Sequence, residues 1–442
     1  MISIQKVEQI KLGKLTAEKN ISDFLDKIKK ENKKINAVLS VNPNALEDAK
    51  KVDAKKDKGL LAGLGVIVKS NICVQGLECN CASKVLEGWI APYDATVIEK
   101  IEKQDGVILG MANMDEFACG GSGETSAFGA CQNPAAFGKV PGGSSSGPAA
   151  SVVAEFCDFA LGSDTGGSNR NPASHCGIVG VKPSYGLVSR YGLIDMAMSF
   201  DQIGSLTKDV KSAGLILDII KGRDEKDSVS FSSDKIKLGN LGKLTVGVLK
   251  KIANDDVHNL VSEKVEKAVE KYGWKVKEID LKNIDLAIQT YYPIVYVEFF
   301  SGTRKFDGRR FGKKIDEHCG PEVLRRILGG EEISKAEYDG RYYKKALEVK
   351  EIIRKEFENA FKDVDCIIIP TVPRLPHDVG SSISTEEMYG YDVLTAPVNL
   401  AECCAVSVPA GKINNIPVGL QVICGHLQEG KMLSIAKMIE DL

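Results

Sequence analysis

The segment LGSDTGGSNRNPASHCGIVGVKPSYGLVSRYGL, residues 161–193, places Gly166 and Gly167 directly before Ser168 and follows them with Arg170. Paired glycines permit backbone conformations and close approaches that a Cβ would block. Such a turn serves one of two ends. It makes a tight reversal, or it aims several backbone N–H groups at one point, as an oxyanion hole or anion nest does. From residue 120 to 180 glycine, serine, alanine and asparagine dominate and charges are sparse. A flexible tether shares that composition. Here it is interleaved with the apolar runs AASVVAEF and GIVGVKP, so the segment reads as loops packed into a core.

On the N-terminal side, residues 15–58 read as helical, with Ile21, Leu25 and Ile28 at helical spacing. GLGVIVKSNICVQG then holds a short apolar strand interrupted by Lys69, and the helical DATVIEKIEKQ leads into a buried strand, DGVILGMAN (105–113). Downstream, LTVGVLK (244–250) and WKVKEIDL read as strands around an amphipathic helix whose apolar face carries Leu260, Val261, Val265, Ala268 and Val269. Residues 284–362 read as mainly helical, CIIIP, AVSVP and PVGLQVIC as closing strands, and a last helix starts near Gln428. Strands and helices alternating in this way predict an α/β sheet with helices on both faces.

The 442 residues are 43% hydrophobic, ample for a large core. Lys plus Arg number 58 against 60 Asp plus Glu, a net charge of −2. So balanced a chain has no global electrostatic reason to bind nucleic acid or an anionic membrane by itself. The N-terminus lacks the apolar core of a signal peptide and no run of eighteen apolar residues occurs, so a cytoplasmic protein without a membrane span is expected. The twelve cysteines form no CxxC pair, which argues against a zinc ribbon or a thioredoxin site; buried reduced thiols are expected instead. Cys176 beside His175 invites a thiol-nucleophile reading, but neighbours in sequence seldom face each other, and a core role is expected for both.

Two further features could carry chemistry. Lys69 ends the apolar run VIV. It either snorkels to solvent or, if enclosed, loses its charge and becomes a base. VPGGSSSGPAAS (140–151) sets three serines before a helical stretch, where capping is the ordinary job and a hydroxyl relay the alternative. Gly143 to Gly147 also spell GxSxG, but a nucleophile elbow needs a strand before it, and NPAAFGKVP has no β pattern. A Ser–His–Asp hydrolase is discounted for that reason.

Taken together, GLGVIVKSNICVQG, GGSSSGPAAS, SFDQIGSLTKDV and the 161–193 segment resemble the amidase signature family, whose members use a Ser–Ser–Lys triad. TYYPIVYVEFFSGTRKFDGRRFG and YDVLTAPVNLAECCAVSVP look most like its subgroup of tRNA-dependent amidotransferase A subunits. The resemblance implies one amidase domain over residues 1–442, with a large mixed β-sheet covered by helices on both faces. Its parts would be an N-terminal helical segment (1–58), a Gly/Ser-rich catalytic core (59–210), a helical insertion (about 284–362) and closing strands and helix (363–442). It further implies Ser168 as nucleophile, Ser144 as bridging serine held by a cis peptide, and Lys69 as base. Backbone N–H groups of Thr165, Gly166, Gly167 and Ser168 would form the oxyanion hole. Tyr291, Arg326 (or its neighbour Arg325) and Asp392 would grip free glutamine, the arginine on its carboxylate and the aspartate on its ammonium. No metal or cofactor is implied for this chain. ATP and magnesium would act at a B subunit, which would also hold most of the mischarged tRNA, Glu-tRNA(Gln) or Asp-tRNA(Asn). A small C subunit would complete a heterotrimer. The alternative is a stand-alone amidase for a small amide. The chain departs from the family pattern at Ser146, Pro148 and Asn169, and the segment KKIDEHCGPE is shorter than is common in the subgroup.

Overall fold

The computed structural model describes residues 3–250, 252–335 and 340–442. Eleven strands form one mixed sheet. They are β1 (Val38–Val41), β2 (Gly65–Lys69), β3 (Val107–Ala112), β4 (Phe159–Asp164), β5 (Val179–Lys182), β6 (Gln202–Thr207), β7 (Thr245–Leu249), β8 (Lys275–Ile279), β9 (Cys366–Pro370), β10 (Cys404–Ile413) and β11 (Ile416–Cys424). Their order across the sheet is β1-β3-β2-β4-β6-β5-β10-β11-β9-β7-β8. β3, β2 and β4 run parallel to one another, as do β9, β7 and β8. The strands between them pair antiparallel.

The two-residue period of a strand assigns side chains to opposite faces. In β9, Cys366 and Ile368 join one apolar cluster while Ile367 and Ile369 join the other. Helices, numbered in chain order, cover both clusters; α1 (Ser3–Lys11) and α4 (Thr96–Lys103) pack with the cluster that holds Cys366, and α10 (Ile315–His318) and α13 (Thr385–Tyr389) with the other. One is closed by α7 (Val210–Ile220), α8 (Asp255–Tyr272) and α15 (Glu429–Glu440). The other is closed by α9 (Ala287–Thr303), α11 (Pro321–Ser334), α12 (Arg341–Ala360) and α14 (Ala396–Leu400). The expected α/β sheet with helices on both faces is therefore present. The face predicted for α8 is inward: Val261, Val265 and Ala268 are buried, with Leu260 and Val269 packed at its margin.

Two expectations need correction. The stretch 15–58 is not helical throughout, because β1 separates α2 (Ala17–Ile35) from α3 (Ala45–Ala54). The sequence VLSV is β-branched and apolar enough to add an edge strand to β3. The Gly/Ser-rich stretch is not only packed loop, since it supplies α5 (Ser146–Val153), β4, α6 (Arg170–Cys176) and β5. Of the expected closing strands, all three are present, and the last two are central in the sheet: β10 pairs with β5 and β11 with β9.

Candidate active site

Lys69 ends β2, which lies between β3 and β4 with both faces covered, so its side chain is fully buried and cannot snorkel. Its Nζ lies 2.7 Å from Ser144 Oγ and 2.8 Å from Ser163 Oγ. Asn71 Nδ2 donates to the same Ser163 hydroxyl at 3.2 Å. Burial lowers the Lys69 ammonium to about 7, against the pull of Asp115, Asp164 and Asp201.

Ser144 follows a cis peptide from Gly143. Its carbonyl accepts from Asp115 N at 3.2 Å. The buried Asp115 carboxylate in turn accepts from Gly123 N, Thr125 N and Thr125 Oγ1. A Cβ on Gly143 would sit 1.9 Å from Asp115 Oδ2, so this position takes glycine. Ser145 holds the N-cap position of α5 but makes no side-chain capping bond there. The single Ser145 hydroxyl proton is instead shared between Ser163 O at 3.1 Å and Asn169 Oδ1 at 3.0 Å. Ser145 N donates to Ser168 O at 3.1 Å, which ties the Ser144 loop to the loop carrying Ser168. Ser145, the middle residue of GxSxG, thus has a structural partner set without histidine.

The loop joining β4 to α6 is built around Asp164 and Arg170. Arg170 Nε and Nη2 each donate to Asp164 at 3.0 Å, and the guanidinium also reaches Thr395 O, Gln421 Oε1 and Asn399 Oδ1. Burial alone would raise the Asp164 carboxyl; the charge and hydrogen bonds of Arg170 reverse this and bring it down to about 2. Asp164 also accepts from Gly167 N at 3.0 Å and Asn169 N at 3.2 Å. That corrects one expectation: the Gly167 N–H is engaged by a carboxylate and is not offered to an oxyanion. The amides of Thr165, Gly166 and Ser168 remain as candidate donors. The need for glycine at 166 and 167 is steric. A Cβ on Gly166 would meet Tyr291 Oη at 2.5 Å, and one on Gly167, at φ +140°, would meet Thr395 Oγ1 at 2.2 Å. Thr395 Oγ1 donates to Gly166 O at 2.6 Å and Thr165 Oγ1 to the buried Asp201 at 2.6 Å.

Exposure is graded across the three proposed catalytic residues: Lys69 and Ser144 are at 0%, whereas Ser168 retains 7%. Two of the departures from the family pattern, Asn169 and Pro148, fit locally, whereas the buried Ser146 hydroxyl has no hydrogen-bond partner among the described residues. Asn169 accepts from Ser145 and donates from Nδ2 to Val181 O at 3.1 Å. Pro148 is the third residue of α5, within the first turn where no intrahelical N–H bond is lost.

Beside this loop lie the residues expected to hold glutamine. Arg326 is buried and Arg325 half-exposed, so Arg326 is the inner member of the pair. Its Nε donates to Glu322 at 2.8 Å, and its guanidinium lies over the Tyr292 ring, 5.5 Å from the centroid. Arg325 turns outward to Glu322, Tyr296 Oη and the face of Tyr389, and it lines a cavity of about 600 Å³. Asp392 is partly buried, and the loss of hydration raises its carboxyl to about 7, against the Tyr292 hydroxyl and the Arg326 charge. Tyr291 packs against Gly166 and Phe200. Several residues that sequence reasoning passed over therefore help build the site: Asn71, Asp115, Ser163, Asp164, Asp201, Tyr292 and Thr395. Asp164 and Ser163 stand within the motif itself. Asn71, Asp201, Tyr292 and Thr395 stand in the other quoted stretches, and Asp115 alone lies outside them.

His175 and Cys176 are both core residues: burial lowers the imidazole to about 3 and raises the thiol, which donates to Pro141 O at 3.5 Å. Among the described residues, no group of three or more His, Cys, Asp or Glu could hold a metal ion, and no helix is long and apolar enough to cross a membrane.

Residues 19–433 match the amidase family profile. The chain is 54% identical over 420 residues to the A subunit of glutamyl-tRNA(Gln) amidotransferase from Methanocaldococcus jannaschii, spanning 94% of this chain and 96% of that protein. It is 48% identical over 452 residues to the protein of the same name from Methanothermobacter thermautotrophicus, spanning 100% and 99%. Among solved structures, the A subunit of glutamyl-tRNA(Gln) amidotransferase from Thermotoga maritima superposes with a TM-score of 0.83 at 39% identity, covering 96% of this chain and 91% of that one. With a profile match across most of its length and relatives this similar, the chain belongs to the amidase family.

Proposed function

We propose that the chain is the glutaminase subunit of a tRNA-dependent amidotransferase. It hydrolyses glutamine at Ser168 and supplies the ammonia that converts Glu-tRNA(Gln) to Gln-tRNA(Gln). The carrying observation is the 2.7 Å contact of Lys69 Nζ with Ser144 Oγ, in a loop tied to that of Ser168. Neutral Lys69 accepts the Ser144 proton as Ser144 takes that of Ser168. Ser168 Oγ attacks the side-chain carbonyl carbon of glutamine, and the carbonyl oxygen becomes an oxyanion facing the loop amides. The proton returns through Ser144 to the amide nitrogen, ammonia leaves, and water then hydrolyses the glutamyl-Ser168 ester to glutamate. Tyr291, Arg326 and Asp392 hold the amino-acid end.

The relatives' shared name supports a complex, in which B and C subunits would join this chain in the cytoplasm. ATP and magnesium would then serve at the B subunit, which would hold most of the tRNA. A stand-alone amidase would need no such arginine and aspartate near its nucleophile loop. The test is Ser168→Ala: glutamine hydrolysis and formation of a glutamyl-enzyme, read by intact mass after rapid quenching, should both vanish while the circular dichroism spectrum is retained. Hydrolysis surviving in the variant would remove Ser168 from the mechanism.

A further inference from the structure

Among the described residues, Asp392 has one side-chain hydrogen-bond donor, the hydroxyl of Tyr292, at 2.8 Å from Oδ2. The Tyr292 ring is itself fixed on two sides. It stacks on Tyr389 with centroids 3.6 Å apart and planes 16° from parallel, and Arg326 lies over it at 5.5 Å. Tyr389 is held in turn by Tyr296, with which it shares a hydrogen bond, and by Arg325 over its ring. The adjacent Tyr291 goes elsewhere, to Gly166 of the nucleophile loop. Neighbouring tyrosines of α9 thus point to different tasks.

We propose that Tyr292 is a positioning residue for substrate selection: its hydroxyl fixes Asp392 in one orientation, so that the other carboxylate oxygen meets the α-ammonium of glutamine. The proposal rests on the reading of Asp392 as the ammonium acceptor. A hydroxyl donor stabilises the ionised carboxylate, the form able to pair with a cation. The other groups acting on Asp392 are Arg326 of α11, Arg170 of α6 and Asp164 of β4, with Tyr291 and Tyr389 close by. The two arginines support ionisation and Asp164 opposes it. Without the Tyr292 hydroxyl the balance moves toward the neutral acid, and binding of glutamine requires a higher pH.

The experiment compares glutamine with glutaramate, which is glutamine without its α-amino group, in the full chain and its Tyr292→Phe and Asp392→Asn variants. Phenylalanine keeps the stacked ring and removes only the donor. The ratio of the glutamine KM to the glutaramate KM should rise roughly ten- to 150-fold near pH 7 in Tyr292→Phe, the scale of a hydrogen bond to a charged group. As pH rises that ratio should fall, with its midpoint displaced upward from wild type. Titration of Lys69 is common to both substrates and cancels in the ratio. In the Asp392→Asn background, adding Tyr292→Phe should change the ratio less than about twofold. If Asp392→Asn raises the ratio but Tyr292→Phe leaves both ratio and midpoint unmoved, the role of Tyr292 is overturned while that of Asp392 stands. If Asp392→Asn affects the two substrates equally, the ammonium assignment itself fails.

Discussion

Lys69 can act as a base only when uncharged, and its pocket supplies that condition. Burial brings it to about 7 although three carboxylates pull the other way. A base whose folded pKa is lowered is competent above that value and is lost as pH falls through it. We therefore expect kcat/KM for glutamine to rise with pH through a midpoint near 7, read from a pH–rate profile of the wild-type chain. Lys69→Arg should be inactive across the range, a loss of about 10²–10⁴-fold, because a guanidinium does not give up its proton in a protein. A profile flat from about pH 5 to 9, or an active Lys69→Arg, would exclude lysine as base. That Lys69 mattered was legible in its place at the end of an apolar run; its loss of charge was not, since enclosure depends on β3 and β4, more than thirty residues away.

At the scale of elements, the β4–α6 connection does the positioning. Asp164 closes β4, Arg170 opens α6, and the ion pair between them pins the turn that carries Gly166 to Ser168. Both side chains are completely buried, so removing one charge leaves the other without compensation. Arg170→Leu should lose about 3–5 kcal/mol of stability, the usual result of breaking a buried pair, together with most of its glutaminase activity. Urea unfolding followed by circular dichroism reads the first. A loss under about 1 kcal/mol would mean that water or a rearranged Asn399 takes over the role. The paired glycines suggested a backbone aimed at an anion. The actual constraint is closer to packing, for Tyr291 and Thr395 occupy the space a Cβ would take. Sequence could not separate these causes, because both partners lie more than 120 residues further on.

At the scale of the molecule, strands from residue 38 to residue 424 share one sheet, and we read the chain as one domain. That reading expects a single calorimetric transition, with no separate event for residues 284–362. Hydrogen exchange should be slowest in β5, β6, β10 and β11, at the centre, and fast in β8 at the edge. β8 exposes Lys275, Val276, Lys277 and Glu278, and its charges discourage pairing with another chain. Two resolved transitions, or a β8 protected as well as β10, would argue for a different division of the fold.

The sequence by itself determined the period of most strands and helices and the α/β class, which are written in local spacing, where chain connectivity does the specifying. It also displayed the stretches that hold Lys69, Ser144 and Ser168, whose proposed roles come from the family resemblance. It left open which strands are central, which of Arg325 and Arg326 faces inward, and that Gly167 gives its N–H to Asp164. Tertiary structure alone decided those, because each depends on what a distant segment places beside the group. Burial sets whether Lys69 and Asp392 carry charge, and the stacking of Tyr389 and Arg326 about Tyr292 holds its hydroxyl to Asp392. Desolvation and close packing are properties of the assembled core, and no short stretch of sequence contains them.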